Sequence, residues 1–395
     1  MAQYYKNVAG VQKASDLYYN ILIKNNNTGY DKDGNPIPIE TSTALVFDEM
    51  RSQPYLSKPS DYFMSIVSFQ MDSQSLPIFI AEPVAGAVDV NETLYFYTIF
   101  DENNNMLLHK RIVWVPQDLS VPKPPSPVPA DYTRYPYYFC YDYEYFTNLI
   151  NTQLVTDFQD AGITQKPPFL VYKDKNISLI GDASVYTTDT KGTVINSGGL
   201  KIFFNTEFYY LFSSLPAIKY SEPLNSVLNA NYQLLFVQNP SGLNTIEVNT
   251  DLLTSPPSSP YTAIESKCEY PPFSFWNPID SIIFTTTHLY VVPELISANS
   301  PYGLSGGLQV SNANQFYILM DYVTPLFRGN DYQPNIIYEP QAEYRLSDLY
   351  GNTEISQLQI SVFWKDKWGV LHTFTLESGG TASLKILFRK KVFYE

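Results

Sequence analysis

Charge is scarce in this chain: only 16% of its 395 residues are Asp, Glu, Lys or Arg. Lys and Arg number 25 against 39 acids, a formal net charge of −14. So few cations cannot neutralise many phosphates, which argues against nucleic-acid contact over the whole surface, and the acidity itself reads as a solvated exterior. Cysteine is almost absent. Cys140 and Cys268 have no metal-ligand spacing, and two isolated thiols suit a reducing compartment, with one disulfide between them left open. Long apolar runs are missing too. The stretch from Leu76 to Val90 is interrupted by Pro77, Glu82 and Pro83, and no segment is long enough to span a bilayer. The start MAQYYKNVAGVQ lacks a basic region followed by an apolar one, so no signal peptide is read and synthesis in the cytoplasm is expected.

Catalytic signatures are equally sparse. There is no HExxH, GxSxG or GxxxxGK[ST], and the glycines at 303–307 and 378–380 lack a strand-to-helix setting, so they read as turns. The acids form no pair of predictable separation. His109, His288 and His372 each sit in an apolar strand context, where a hydrogen-bonded structural histidine is the better reading than a metal ligand. The sequence therefore predicts no enzyme, no catalytic residue, no cofactor and no metal site.

What the chain does have is aromatic side chains and proline: 33 Tyr, 24 Phe and 29 Pro. That much aromatic surface must be covered by a core or by partners, and proline at this density suits ordered loops between strands. The most regular stretch lies at the C-terminus. Leu358, Ile360, Val362 and Trp364 alternate with Gln357, Gln359 and Ser361, the period of a half-buried strand. Asp366 to Gly369 reads as a tight turn, with Gly369 supplying positive φ. A second strand over 370–376 places Val370, Phe374 and Leu376 on one side. A third over 383–391 points Leu384, Ile386 and Phe388 inward and Lys385, Arg389 and Lys391 outward. The fold class is all-β.

Upstream, residues 1–60 read as an arm in which 18–24 and 44–47 pair across a polar loop. That loop carries Asp31, Asp33, Gly34 and Glu40 at EF-hand spacing. It lacks the first carboxylate and the flanking helices, so it reads as a turn. Apolar runs at 61–71, 76–81, 93–100 and 106–115 are spaced as sandwich strands, and VPKPPSPVP at 121–129 is a stiff connector and a candidate boundary. One helix is expected near 143–160, with Phe146, Leu149, Ile150, Leu154 and Phe158 on one face, Asp142 capping its start and Gly162 closing its end. Strands are then expected at 169–172, 177–180, 200–204, 232–238, 245–248, 282–292 and 316–323, with a helical turn at 208–215.

Two features invite a binding role. Lys385, Arg389, Lys390 and Lys391 form a basic strand that reads first as a solvated face, with an acidic partner or a genome as the alternative. Arg328-Gly329-Asn330-Asp331 is an integrin-type RGD tripeptide broken by an inserted Asn, and reads as a polar loop. Sequons stand at Asn26, Asn91 and Asn176.

An ordered set of phrases carries a resemblance: LKIFFNTEFYYLFSSLPA (200–217), SIIFTTTHLYVVPEL (281–295), IIYEPQAEYRLSDLYG (336–351), FWKDKWG (363–369) and ASLKILFRKK (382–391). The last half of the chain resembles the penton, or minor capsid vertex, proteins of virophages and related polinton-type viruses, Sputnik-like virophages in particular. The resemblance implies a single jelly-roll β-sandwich with an inserted second domain containing a helix. It implies homopentameric capsomers at the fivefold vertices of an icosahedral virion, made in the host cytoplasm. The implied partners are further copies of the chain, hexamers of a double jelly-roll major capsid protein, and other minor capsid proteins. On this basis the chain divides into an N-terminal arm (1–60), a first jelly-roll part (61–118), an insertion (119–279) and a second jelly-roll part (280–395). One feature fits poorly: the hairpin 357–376 stays in one sheet, whereas most consecutive jelly-roll strands change sheets. The alternative is a β-sandwich that binds glycans or a host receptor through Trp276, Trp364, Trp368 and loop tyrosines.

Overall fold

The computed structural model describes residues 16–25, 28–30, 33, 36–38, 43–125, 132–173, 176–220, 231–239, 242, 244–248, 261–291, 317–322, 327–328, 331–332, 335–339 and 345–391. They fall in two compact units, one made of residues 1–75, 279–325 and 333–395, the other of 76–278 and 326–332.

The first unit is a sandwich of eight main strands: β1 (Asp16–Lys24), β2 (Val46–Met50), β3 (Tyr62–Asp72), β4 (Ile279–Thr286), β5 (Tyr317–Tyr322), β6 (Asn335–Tyr338), β7 (Gln357–Asp366) and β8 (Thr381–Lys390). Sheet one runs β1-β8-β3-β6 and sheet two runs β2-β7-β4-β5. All pairings are antiparallel, and every connection except β4 to β5 moves the chain from one sheet to the other. The alternation in β7 does what its period predicts. Leu358, Ile360, Val362 and Trp364 are buried, while Gln357, Gln359, Ser361 and Phe363 stay partly exposed. From sheet one, Phe69 meets Phe284 of sheet two edge-on at 5.0 Å and Phe47 at 6.4 Å, geometry that aromatic quadrupoles favour. At one margin the Arg51 guanidinium lies 5.2 Å from the Tyr19 ring and 4.7 Å from the Tyr55 ring, so a residue just past β2 clasps β1. Burial pushes the Tyr55 hydroxyl up to about 12.

The pairing of 18–24 with 44–47 expected from sequence does not form. β1 pairs with β8 and β2 pairs with β7, in opposite sheets. Each instead takes its backbone hydrogen bonds from a ten-residue strand of its own sheet, 381–390 for β1 and 357–366 for β2. The polar loop between them is a hairpin, Thr28–Tyr30 against Pro36–Pro38. The turn at 366–369 forms with Gly369 at φ 89°, but the following strand is short and divided. Leu371–Thr373 pairs with β7, and Thr375–Leu376 pairs with Thr43–Ala44. The awkward hairpin is thus an added ribbon, placed end to end with β2 along one edge of β7, before the chain crosses to sheet one as β8.

The second unit is mixed. One sheet runs 217–219, 232–234, 200–204, 92–101, 106–113; another runs 169–173, 176–182, 261–267, 245–248. Strands 92–101 and 106–113, expected in the first part of the sandwich, pair here with each other, and 92–101 pairs on its other side with 200–204. Strand 92–101 is buried on both faces, so its near-continuous apolar character carried no one-sided signal. The division between units falls after residues 75 and 278, not at the proline-rich connector.

Helix α1 (Tyr143–Asp160) begins where Asp142 accepts a hydrogen bond from the Glu144 N–H, and Gly162 follows it at φ 68°. Its amide side chains act as surrogate strand backbone. Asn151 donates to the Leu170 carbonyl at 2.8 Å and accepts from the Leu170 N–H at 2.7 Å. Gln153 accepts from the Val113 N–H at 2.8 Å and donates to the Val113 carbonyl. Both strands lie at sheet edges, where unpaired backbone would otherwise face solvent or another chain. Tyr97 donates to Asp157 at 2.6 Å, a third tie, and burial first and this carboxylate second raise its pKa. The core is aromatic. Phe146 lies 4.7 Å from Phe79 and 5.5 Å from Trp276, and Tyr143 lies 4.2 Å from Phe273. The Trp276 N–H donates to the Leu211 carbonyl at 2.6 Å, so the indole is fully satisfied inside.

Phe69→Ala is expected to lower unfolding stability by about 3–5 kcal/mol, because the cavity spans both sheets. Asn151→Ala, which strands both Leu170 backbone groups, is expected to cost about 1–3 kcal/mol. Urea denaturation followed by tryptophan fluorescence measures both.

Candidate assembly surfaces

Because side chains alternate along a strand, each sheet shows one face to the core and one outward. On sheet one, Leu22 pairs with Ser383, Ser383 with Gln70, and Gln70 with Ile337, forming one outward row across all four strands. Leu22 is 74% exposed and Ile337 59% exposed, with the polar side chains of Ser383 and Gln70 between them. The neighbouring row places Asn20 opposite Lys385, whose ammonium lies 5.3 Å from the Tyr18 ring. On sheet two the outward positions are Asp48 and Met50 of β2 and Gln357, Gln359 and Ser361 of β7. Met50 is 78% exposed. A polar ladder joins this face: Gln357 donates to Asp48 at 2.8 Å, and the Gln359 carbonyl oxygen accepts from the Thr287 hydroxyl at 2.8 Å. The second unit presents a separate aromatic patch. Tyr210 meets Phe275 edge-on at 5.3 Å, and both are exposed together with Tyr270.

The basic strand is largely engaged within the fold. Arg389 holds Asp16 through two 3.2 Å bonds, fastening β8 to β1. Lys391 bonds the Ser60 carbonyl at 2.7 Å and the Leu349 carbonyl at 3.0 Å, and pairs with Asp348. Lys385 and Lys390 remain exposed. A cationic platform for a genome is therefore not what this strand forms.

The three histidines occupy unrelated settings. His109 stands on edge strand 106–113 with its Nδ1 2.8 Å from the Thr98 hydroxyl and its ring against Phe96. His288 Nδ1 lies 2.8 Å from the Thr287 hydroxyl and 3.2 Å from the Gln359 oxygen. His372 is stacked on Trp364 at 3.8 Å, with Nε2 2.9 Å from the carboxylate of Asp366. Asp366 is wholly buried, and its other oxygen accepts from the Trp368 and Val370 N–H groups at 2.9 and 2.8 Å. Sequence reasoning placed Asp366 in a turn. Its inward register in β7 was the missed signal of a buried, partnered carboxylate. Among the described residues, no three His, Cys, Asp or Glu side chains gather as a metal site.

Of the tryptophans named for sugar binding, Trp276 and Trp364 are 1% and 3% exposed, which removes them as stacking platforms. Trp368 is partly exposed, with the Lys367 ammonium 4.5 Å from its ring. Two sequon asparagines serve the fold: Asn91 accepts from the Tyr137 hydroxyl, and Asn176 donates to the Cys268 carbonyl. Asn26 lies outside the described residues. Cys140 and Cys268 are separate buried thiols, pushed up by burial to about 12 and about 11. Around the broken RGD, Phe327–Arg328 pairs with Asp331–Tyr332, and 329–330 lie outside the described residues.

Comparison with known proteins adds an independent line. A family model described as Sputnik minor capsid protein V18/19 matches residues 17–390. The chain is 29% identical over 177 residues to "Uncharacterized protein V18" of Sputnik virophage, covering 42% of this chain and 97% of that protein. It is 27% identical over 135 residues to "Structural protein V19" of Sputnik virophage, covering 34% of this chain and 59% of that protein, so the match spans little more than half of V19. Among solved structures, a chain of the Sputnik virophage determined by cryo-EM superposes with TM-score 0.71 at 24% identity, over 96% of this chain and 99% of that one. A mavirus penton protein superposes with TM-score 0.59 at 18% identity, over 95% and 99% respectively. At these identities the superpositions establish a shared fold.

Asp366→Ala removes one partner of a buried pair and strands two N–H groups, and is expected to cost about 3 kcal/mol or more by urea denaturation. Partial burial first, and Arg111 second, lower the His109 pKa below its ordinary 6.5. The folded chain then binds fewer protons than the unfolded one. Stability is complete above about pH 6.5 and declines as pH falls through the folded-state pKa. Thermal midpoints measured from about pH 8 to about pH 5 are expected to fall less steeply in His109→Gln than in the parent.

Proposed function

We propose that this chain, which belongs to the Sputnik minor capsid protein V18/19 family, is a penton: five copies form a ring at each fivefold vertex of an icosahedral capsid. The observation that carries this reading is the family match, which runs through both units from residue 17 to 390. The strand order supports it. Sheets ordered β1-β8-β3-β6 and β2-β7-β4-β5, with the chain changing sheet at nearly every connection, fit the reading of this unit as a single jelly roll. In this reading the main segment of the second unit, 76–278, is an inserted domain between β3 and β4.

The role is mechanical. A ring of five needs a heterologous contact that closes on itself, so each copy offers two different faces to its neighbours. Outside the ring, the partners are hexamers of a double jelly-roll major capsid protein and other minor capsid proteins, met after synthesis in the host cytoplasm. No catalytic step is proposed. A second reading, recognition of a glycan or host surface, now rests on Tyr210, Phe275 and Tyr270, the exposed aromatic trio of the second unit. Thermal stabilisation of the isolated protein by sugars would favour it.

Light scattering of the purified protein, with negative-stain images of the same peak, tests the penton reading. A ring near five times 45.0 kDa is expected, alone or on co-expression with the major capsid protein. A stable dimer or trimer that never enters a capsid would overturn it.

A further inference from the structure

The outward faces of the two sheets differ in charge. On sheet one the exposed charges of β1 and β8 include Lys24 and Lys385, neither of which makes an ion pair among the described residues. Arg389 on the same face is neutralised by Asp16. On sheet two Asp280 and Lys365 neutralise each other at 2.6 Å. Asp48 is left exposed, with the neutral Gln357 amide as its side-chain partner among the described residues. At the β1–β8 side of sheet one the unpaired charge is therefore positive, with Asp72 the acid across the sheet on β3, whereas at the β2 margin of sheet two it is negative.

Each face also pairs that charge with a large exposed apolar side chain at a similar spacing. Lys385 is opposite Asn20, two residues from Leu22, so it sits diagonally from Leu22 at roughly 7–8 Å. Asp48 and Met50 are two residues apart on the same side of β2, about 7 Å. An apolar knob beside a cation on one face thus matches an apolar knob beside an anion on the other. A twofold dimer would bring each face against itself, Lys385 near Lys385 or Asp48 near Asp48, which like-charge repulsion disfavours.

Resting on the penton reading, we propose that the ring closes by docking sheet one of each copy on sheet two of the next, Leu22 against Met50 and Lys385 against Asp48. The apolar contact supplies the buried centre. The charge pair fixes register and rejects the face-to-self arrangement.

The test uses the full chain under the conditions in which the parent forms rings. Lys385→Glu and Asp48→Lys are each expected to lower the ring fraction about tenfold or more in native mass spectrometry, because every contact around the ring becomes like-charged. The double variant is expected to restore it. Leu22→Cys combined with Met50→Cys is expected to give, on mild oxidation, a covalent ladder ending at five chains. Near-UV circular dichroism checks that each variant is folded. Rings that survive both single charge reversals, a double variant that fails to recover, or rings that yield no ladder overturn the proposed contact and leave the pentamer standing. A parent that forms no ring, alone or with the major capsid protein, overturns both.

Discussion

Strand Thr381–Lys390 is the element on which the sandwich depends. It lies between β1, drawn from residues 16–24, and β3, drawn from 62–72, so the sheet forms only when the two ends of the chain meet. Leu384, Ile386 and Phe388 are fully buried, and Arg389 fastens the strand to Asp16. Pairings this distant in sequence must bear loop-closure entropy before any burial offsets it, which makes folding slow and cooperative rather than sequential. The insertion of 76–278 between β3 and β4 lengthens that closure, though cost grows only with the logarithm of loop length. A large domain can therefore interrupt the sandwich without undoing it.

Many of the described aromatic residues are consumed inside. In the second unit Phe79, Phe146, Trp276, Tyr143 and Phe273 form a contiguous buried cluster, and buried polar tips such as the Trp114 and Trp276 N–H groups find backbone carbonyls. High aromatic content alone is thus a poor guide to a binding surface. Among the described residues, the large apolar side chains left exposed include Leu22, Met50, Ile337 and Tyr290 on the sandwich, and Val88, Leu119, Ile195, Tyr210, Tyr270 and Phe275 on the second unit. Isolated apolar side chains set among polar ones suit a contact that forms late, between copies already folded, better than an obligate core divided between chains.

The same economy governs the polar groups. Asn151 and Gln153 on α1 cover two sheet edges with side-chain amides, and Asp366 serves His372 and two backbone N–H groups at once. Protected edges matter for any sheet protein, because an open edge is a template on which other chains add strands.

The sequence by itself determined the all-β class, the alternation of β7 and β8, the turn at Gly369 and the helix from Tyr143 to Asp160 with its Asp142 cap. Each follows from local periodicity or from the backbone demands of a few neighbouring residues. The phrases of its last half also carried the family. Tertiary structure alone decided which strand pairs with which. Residues 18–24 and 44–47 went to opposite sheets, and 92–113 joined the second unit, because a strand's period shows which face is apolar and not what covers it. It also decided which aromatic and charged residues stay outside. Trp276 and Trp364 were buried and Arg389 and Lys391 were engaged, while Leu22, Lys385, Asp48 and Met50 were left to solvent. Exposure depends on what the rest of the chain brings to each face, and no local pattern encodes that.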